Sequence, residues 1–151
     1  MPENNLFLDS SALVAGVISA EGASRVLLLL AETSHITATI SEQVLAETEH
    51  AIARTISRAL NDFRQAIKAS KVLIVRDPAP EEVSENLDLI SHAADVPIVL
   101  AAMQAEVDYL VTLNRKHFID DPDVALKSGL RIGTPGDALH WVRERISTER
   151  R

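Results

Sequence analysis

Short apolar runs along this chain alternate with longer stretches whose apolar residues recur every three or four positions. That alternation predicts βα units wound around a parallel sheet. Strands are expected at Leu6–Asp9, Ile36–Thr39, Val72–Val75, Tyr109–Thr112 and Leu130–Gly133. The first, third and fourth are continuously apolar rather than alternating, which predicts cover on both faces.

Helices fill the intervals. Ala12–Ile18 is short, and Gly22 separates it from Ala23–Ala31, whose four consecutive leucines are expected to be almost fully buried. Ser41 is placed to cap the next helix, with Glu42 in its first turn. The stripe of that helix is Val44, Leu45, Thr48, Ile52 and Ile56. Leu60–Ala69 precedes the third strand. Pro78 and Pro80 mark a turn into a helix with Val83, Leu87 and Ile90 on one face. Pro97 sits in the first turn of Val96–Ala105, where proline is tolerated. The last helix starts from Thr134, Pro135 and Asp137 and carries Leu139, Val142 and Ile146 inward.

Composition narrows the class. The 151 residues are about one domain long, taken as a single unit 1–151, and a chain of this size buries roughly 68–70% of its unfolded surface. No apolar run is long enough to span a bilayer. The start MPENNLFLD lacks the basic region of a signal peptide, so a cytoplasmic location is expected. Cysteine is absent, which excludes disulfides and thiolate metal sites. The net charge of −7 weighs mildly against a nucleic-acid enzyme, because phosphate contacts draw on local positive charge. Aromatic content of 3% leaves little for base stacking.

The chemistry sits where strand or loop passes into helix. Asp9 ends the first strand, Glu47 lies on the flank of the stripe after Ser41, and Asp95 opens the Val96 helix. Asn114 follows the fourth strand. Open α/β sheets bind ligands beyond the carboxyl ends of their strands, and carboxylates delivered there from distant segments suit a hard divalent cation. Each residue also has an ordinary reading. Asp9 and Asp95 fit helix caps, Glu47 fits a solvated helix position, and Asn114 fits a turn. Ser10 and Thr112 are candidate supporting groups that serve equally as caps or backbone partners. Arg54 and Arg58, spaced i,i+4, and Arg115 and Lys116 after the fourth strand are candidate phosphate contacts, against the reading of ordinary solvated charge. His92 and His117 are too isolated in spacing to suggest a zinc site.

Four segments together resemble the PIN-domain family of metal-dependent ribonucleases, which includes VapC-like toxins of toxin–antitoxin pairs. FLDSSALVAG matches the opening strand, first acid and following hydroxyl residues, and SEQVLAE matches the helix start with the second acid. DVPIVLAAMQAEVDYLVTLNRKHF matches the third acid through the fourth strand, and GLRIGTPGDAL the closing strand and helix. The resemblance covers nearly the whole chain. It implies a single-domain α/β/α sandwich with a five-stranded parallel sheet. It also implies hydrolysis of RNA phosphodiesters at Asp9, Glu47, Asp95 and Asn114, with Mg²⁺ or Mn²⁺ held by Asp9, Glu47 and Asp95. The partners implied are an RNA substrate, a small antitoxin and a second copy of the chain, with no membrane.

One position departs from the pattern. Many family members carry a fourth acid where this chain has Asn114, which offers a carbonyl oxygen but no charge; Asp120 or Asp121 is a candidate replacement. Asn114 therefore supports a rival reading, a PIN-like binding or assembly module with weakened catalysis. A nucleotide-binding domain lacks both of its glycine-rich motifs here. An aspartyl-phosphate enzyme lacks its second acid, which is Ser11.

Overall fold

A strand buried at every position lies at the middle of the sheet. In this computed structural model, which describes residues 4–19 and 21–149, β1 (Asn5–Leu8) is flanked by β2 (Thr37–Ser41) and β4 (Tyr109–Val111). Beyond them lie β3 (Leu73–Val75) and β5 (Ile132–Gly133), giving the order β3-β2-β1-β4-β5 with every pair parallel. Leu6 pairs with Ala38 on one side and Tyr109 on the other. Residues 1–3, read above for a targeting signal, lie outside the described part.

The helices are α1 (Ser10–Ile18), α2 (Ala23–Glu32), α3 (Glu42–Thr55), α4 (Leu60–Ala69), α5 (Pro80–Ser84), α6 (Val96–Gln104), α7 (Pro122–Ser128) and α8 (Pro135–Glu149). α1 packs on α2, α3 and α4, and α2 on α8; α6 packs on β2, α5 and α7. The result is the expected α/β/α arrangement. Its core includes Leu6, Phe7, Leu8, Leu13, Ile40, Val44, Ile52, Phe63, Val99 and Leu110. Among the described residues no single helix is long and apolar enough to cross a membrane.

The chain order puts β2 and β3 on one side of β1 and β4 and β5 on the other. The strand order therefore reverses between β1 and β4, and at such a switch point the connections diverge and leave a crevice at the carboxyl edge. Asp9 and Thr112 stand immediately after those two strands.

Four expectations need correction. β3 is an edge strand paired only with β2, and Leu73 and Ile74 are each 46% exposed rather than covered on both faces. A continuous apolar run cannot distinguish an edge from a centre. In α2, Leu27 and Leu28 are buried but Leu29 is exposed, because four successive helical positions sweep most of a turn and cannot all face one core. The helix after Pro80 stops at Ser84. There Ser84 Oγ donates to Pro80 O (3.0 Å) and Asn86 Nδ2 to Glu82 O (2.7 Å), side-chain bonds that compete with helix continuation. Leu87 is accordingly exposed, while Leu89 and Ile90 are buried. Finally, α3 ends at Thr55: Ile56 breaks from helical geometry (φ −143°) and a 3₁₀ turn, Ser57–Ala59, follows.

Candidate active site

Asp9 caps α1 and stands at the mouth of the crevice. Its Oδ1 accepts from Ala12 N (3.0 Å) and Ser11 Oγ (2.7 Å), while Oδ2 accepts the Thr112 hydroxyl from the neighbouring strand end. The cap and the tie to the end of β4 are thus made by one carboxylate. Only 4% of Asp9 is exposed. Burial pushes its pKa above the usual carboxylate range, against the three hydrogen bonds that lower it, and the Asp95 charge pushes it further up.

Thr112 and Ser11 stitch the two strand ends together. Thr112 Oγ1 accepts from Asn114 N (2.9 Å), and Ser11 Oγ accepts from Leu113 N (3.0 Å). Asn114 Oδ1 then accepts from His117 N (3.1 Å), starting the wide helical turn Arg115–Ile119, which closes through Asp120 N to Arg115 O (2.7 Å). Asn114 is a turn-former in this conformation. Asp121 caps α7 by accepting from Asp123 N (3.0 Å), the ordinary fate of an acid at a helix start.

Asp95 stands at the cap position of α6 but makes no capping hydrogen bond. Its backbone is already helical (φ −91°, ψ −11°), and Pro97 withholds one of the N–H groups a cap would engage. The carboxylate is left free for other partners. Its side chain is 15% exposed, and Oδ2 is buried without a hydrogen bond, 3.3 Å from His117 Nδ1. Burial raises its pKa, His92 and His117 pull it back, and Glu47 raises it again.

Glu47 is exposed on the flank of α3, as its position beside the buried Val44 and Thr48 requires. Gln43 Nε2 holds Glu47 Oε1 (2.8 Å) and also reaches Ala94 O (3.2 Å), the residue beside Asp95. Ser10 Oγ donates to Glu47 Oε2 at 3.4 Å. Asp9, Asp95 and Glu47 therefore form an electrostatic chain in which Asp95 acts on Asp9 and Glu47 on Asp95.

The basic candidates are less organised. Arg54, Arg58, Arg115 and Lys116 are all exposed. Arg58 lies in the 3₁₀ turn beyond α3, so its expected i,i+4 relation with Arg54 on one helix does not hold. Arg115 lies close enough to Asp137 to help lower that carboxyl's pKa, after the hydrogen bonds from Thr134.

Sequence spacing missed the histidines. The rings of His92 and His117 stack with centroids 4.6 Å apart. Together with Asp95 they offer three ligand atoms within 4.8 Å of one another, the one such set of three among the described residues. The signal was local: His92 is three residues before Asp95 across a 3₁₀ turn, and His117 three after Asn114. The oxygen donors at the crevice fit a hard divalent cation. Asp9 and Asp95 are held above their ordinary pKa chiefly by burial, with Asp95 adding to the rise at Asp9 and Glu47 to that at Asp95, a deficit that a cation or a proton relieves.

A five-stranded parallel sheet flanked by helices, with Asp9 and Thr112 at its switch point, defines an α/β/α protein. The chain belongs to the PIN-domain family, whose members are in general nucleases using divalent metal: the family model, described as PIN domain, matches residues 5–116. Among solved structures it is similar to VapBC2 from Rickettsia felis bound to a DNA fragment from their promoter. There the TM-score is 0.61 at 20% identity, over 86% of this chain and 98% of that one. PAE2754 from Pyrobaculum aerophilum matches with TM-score 0.63 and 17% identity, over 93% and 90% of the two chains. FitAcB from Neisseria gonorrhoeae matches with TM-score 0.51 and 16% identity, over 86% and 97%. At these identities the likeness is one of fold. In a comparison with curated proteins, nothing matches.

Proposed function

We propose that this PIN domain, taken as residues 1–151, is a Mg²⁺- or Mn²⁺-dependent endoribonuclease and the toxin of a toxin–antitoxin pair acting in the cytoplasm. The observation that carries the reading is the chain of acids Asp9, Asp95 and Glu47, brought from three separate elements to the sheet's switch point. Asp9, Glu47 and Asp95 would hold the ion. A bound divalent ion supplies a lowered pKa for its water and charge to offset the developing phosphorane oxygens. Thr112, Ser11 and the Ala12 N–H fix Asp9's orientation, and Gln43 and Ser10 fix Glu47's. Such fixed carboxylates need little reorganisation on binding.

Arg54, Arg58, Arg115 and Lys116 are the proposed phosphate contacts. Being exposed, they can gather an anionic strand on a protein whose net charge is −7. The toxin reading draws on VapBC2 and FitAcB, proteins of similar fold, and extends to a small antitoxin and a homodimer as partners. Asn114 favours a second reading, a binding or assembly module, because its side-chain oxygen is engaged by His117 N and adds no charge.

Incubating the purified chain with structured and unstructured RNA, with Mg²⁺, Mn²⁺ or chelator, separates the two. Cleavage that needs the metal supports the nuclease. Its absence at high protein concentration supports the module. Growth arrest on expression of soluble protein is expected of a toxin, and unimpaired growth contradicts that part of the reading.

A further inference from the structure

We propose that the starts of α2 and α8 together form a phosphate-binding pocket beside the acidic centre, which takes a phosphate of a bound RNA strand or a free phosphate. The inference deepens the ribonuclease reading and rests on it only for the source of the phosphate.

The two helix starts border one hollow of about 320 Å³. Gly22, Ala23 and Ser24 line it from α2, and Thr134, Pro135 and Gly136 from α8. Leu113, just past the end of β4, lines it too. Leu113 N donates to Ser11 Oγ (3.0 Å), which in turn donates to Asp9 Oδ1 (2.7 Å). The hollow is therefore two hydrogen bonds from the first acid, on the same edge of the sheet.

Its walls offer donors that lack acceptors. The α2 cap is Gly22 (φ 117°), which has no side chain to accept a hydrogen bond, and no described residue accepts from Ala23 N or Ser24 N. At α8, Thr134 Oγ1 accepts from Asp137 N (3.2 Å) and Asp137 Oδ2 from Thr134 N (3.0 Å), which leaves Gly136 N without a described acceptor. N–H groups at a helix start, with the positive end of the dipole behind them, attract an oxyanion. An independent observation is the Ser24 hydroxyl. Ser24 is only 5% exposed, and its Oγ is buried with no hydrogen-bond partner among the described residues. Such a donor is costly to bury unless an acceptor meets it, and a phosphate oxygen is an acceptor. Gly136 adds a third. A Cβ there would meet only Thr134 Oγ1, at 3.8 Å, so packing does not require a glycine that weakens the helix. The missing side chain keeps the hollow open. Ala15, Leu113 and Pro135 make the remaining wall apolar, which lessens the screening of the N–H dipoles. Glu21, exposed on the rim, opposes an anion.

The test uses the full chain in chelator, titrated with inorganic phosphate at constant ionic strength and followed by amide chemical shifts in NMR. The amides of Ala23, Ser24 and Gly136 are expected to move on one saturable curve that chloride does not reproduce. Ser24→Ala should weaken phosphate binding roughly tenfold, the scale of one hydrogen bond to a charged group. Gly136→Asp should abolish it, and Glu21→Gln should tighten it. A carboxylate in the first turn of α8 favours the helix, so Gly136→Asp should melt no lower than wild type while losing phosphate. A labelled oligoribonucleotide, its affinity read by anisotropy in chelator, separates the two sources. A loss of the same size in Ser24→Ala assigns the phosphate to the RNA strand. Unchanged RNA affinity beside weakened phosphate binding assigns it to free phosphate. If wild type binds phosphate but no RNA, the pocket stands and the ribonuclease reading loses its substrate. The proposal is overturned if these amides show no saturable shift, so that water alone serves Ser24, or if Ser24→Ala and Gly136→Asp both bind phosphate as wild type does.

Discussion

Thr112 donates its hydroxyl to Asp9 Oδ2 across 103 residues of chain, tying the carboxyl ends of β1 and β4 into one edge. Thr112 Oγ1 in turn accepts from Asn114 N, so one buried side chain positions the acid after one strand and the turn after the other. Thr112→Val keeps the shape and removes both bonds. The variant should lose about 1–3 kcal/mol at neutral pH, the cost of leaving buried polar groups unpaired. The loss should shrink in acid, where Asp9 is protonated and needs less compensation. Urea unfolding at neutral and acid pH measures it, and superimposable curves for the two proteins would show that the bond does not hold the edge together.

The raised pKa values of Asp9 and Asp95 set the sign of a pH dependence. Both groups bind protons more tightly in the folded chain than in the unfolded one. Their share of stability is present below the ordinary value of 3.8 and is lost as pH rises through the raised folded values. Asp95→Asn has no such loss at this position. In chelator, its stability relative to wild type should therefore climb as pH rises from the ordinary carboxylate value through the raised folded one. A flat difference across that range would mean that burial does not penalise the Asp95 charge.

Much of this was legible in the sequence, and the failures have physical causes. The five strands and the βα order follow from apolar runs and caps, and Ser41 caps α3 through Val44 N (3.3 Å) as its position suggests. What one-dimensional pattern lacks is the partner across the sheet. The run Val72–Val75 looks like a central strand, yet β3 has a single neighbour. Asp9 and Asp95 were visible because one ends a strand and the other opens a helix, and Glu47 because it flanks the buried stripe of α3. That Asp95 would cap nothing depended on Pro97 and on backbone angles at one residue. The pairing of His92 with His117 depended on two separate turns meeting, which no local spacing encodes.

Asn114 offers a direct probe of the departure from the commoner family pattern. Asn114→Asp keeps an oxygen for His117 N but places a second carboxylate oxygen where the amide nitrogen faces the His117 ring. Without metal the added charge should lower stability. With Mg²⁺ the variant should gain more than wild type, on the scale of about 2.7 kcal/mol at 100 times the dissociation constant. Thermal melts across a Mg²⁺ titration would show a steeper rise for the variant. Identical responses would place Asn114 outside the metal site.

The central claim is that Asp9, Glu47 and Asp95 act on one ion although they come from β1, α3 and the start of α6. Its most direct test is the rate of Mn²⁺- or Mg²⁺-dependent RNA cleavage by wild type beside Asp9→Asn, Glu47→Gln and Asp95→Asn, each checked for an intact fold. The account predicts that every variant falls by roughly 100-fold or more, as expected when a charge aimed at the reacting centre is removed. Cleavage by all three at the wild-type rate, or wild-type cleavage that survives chelation, would contradict it.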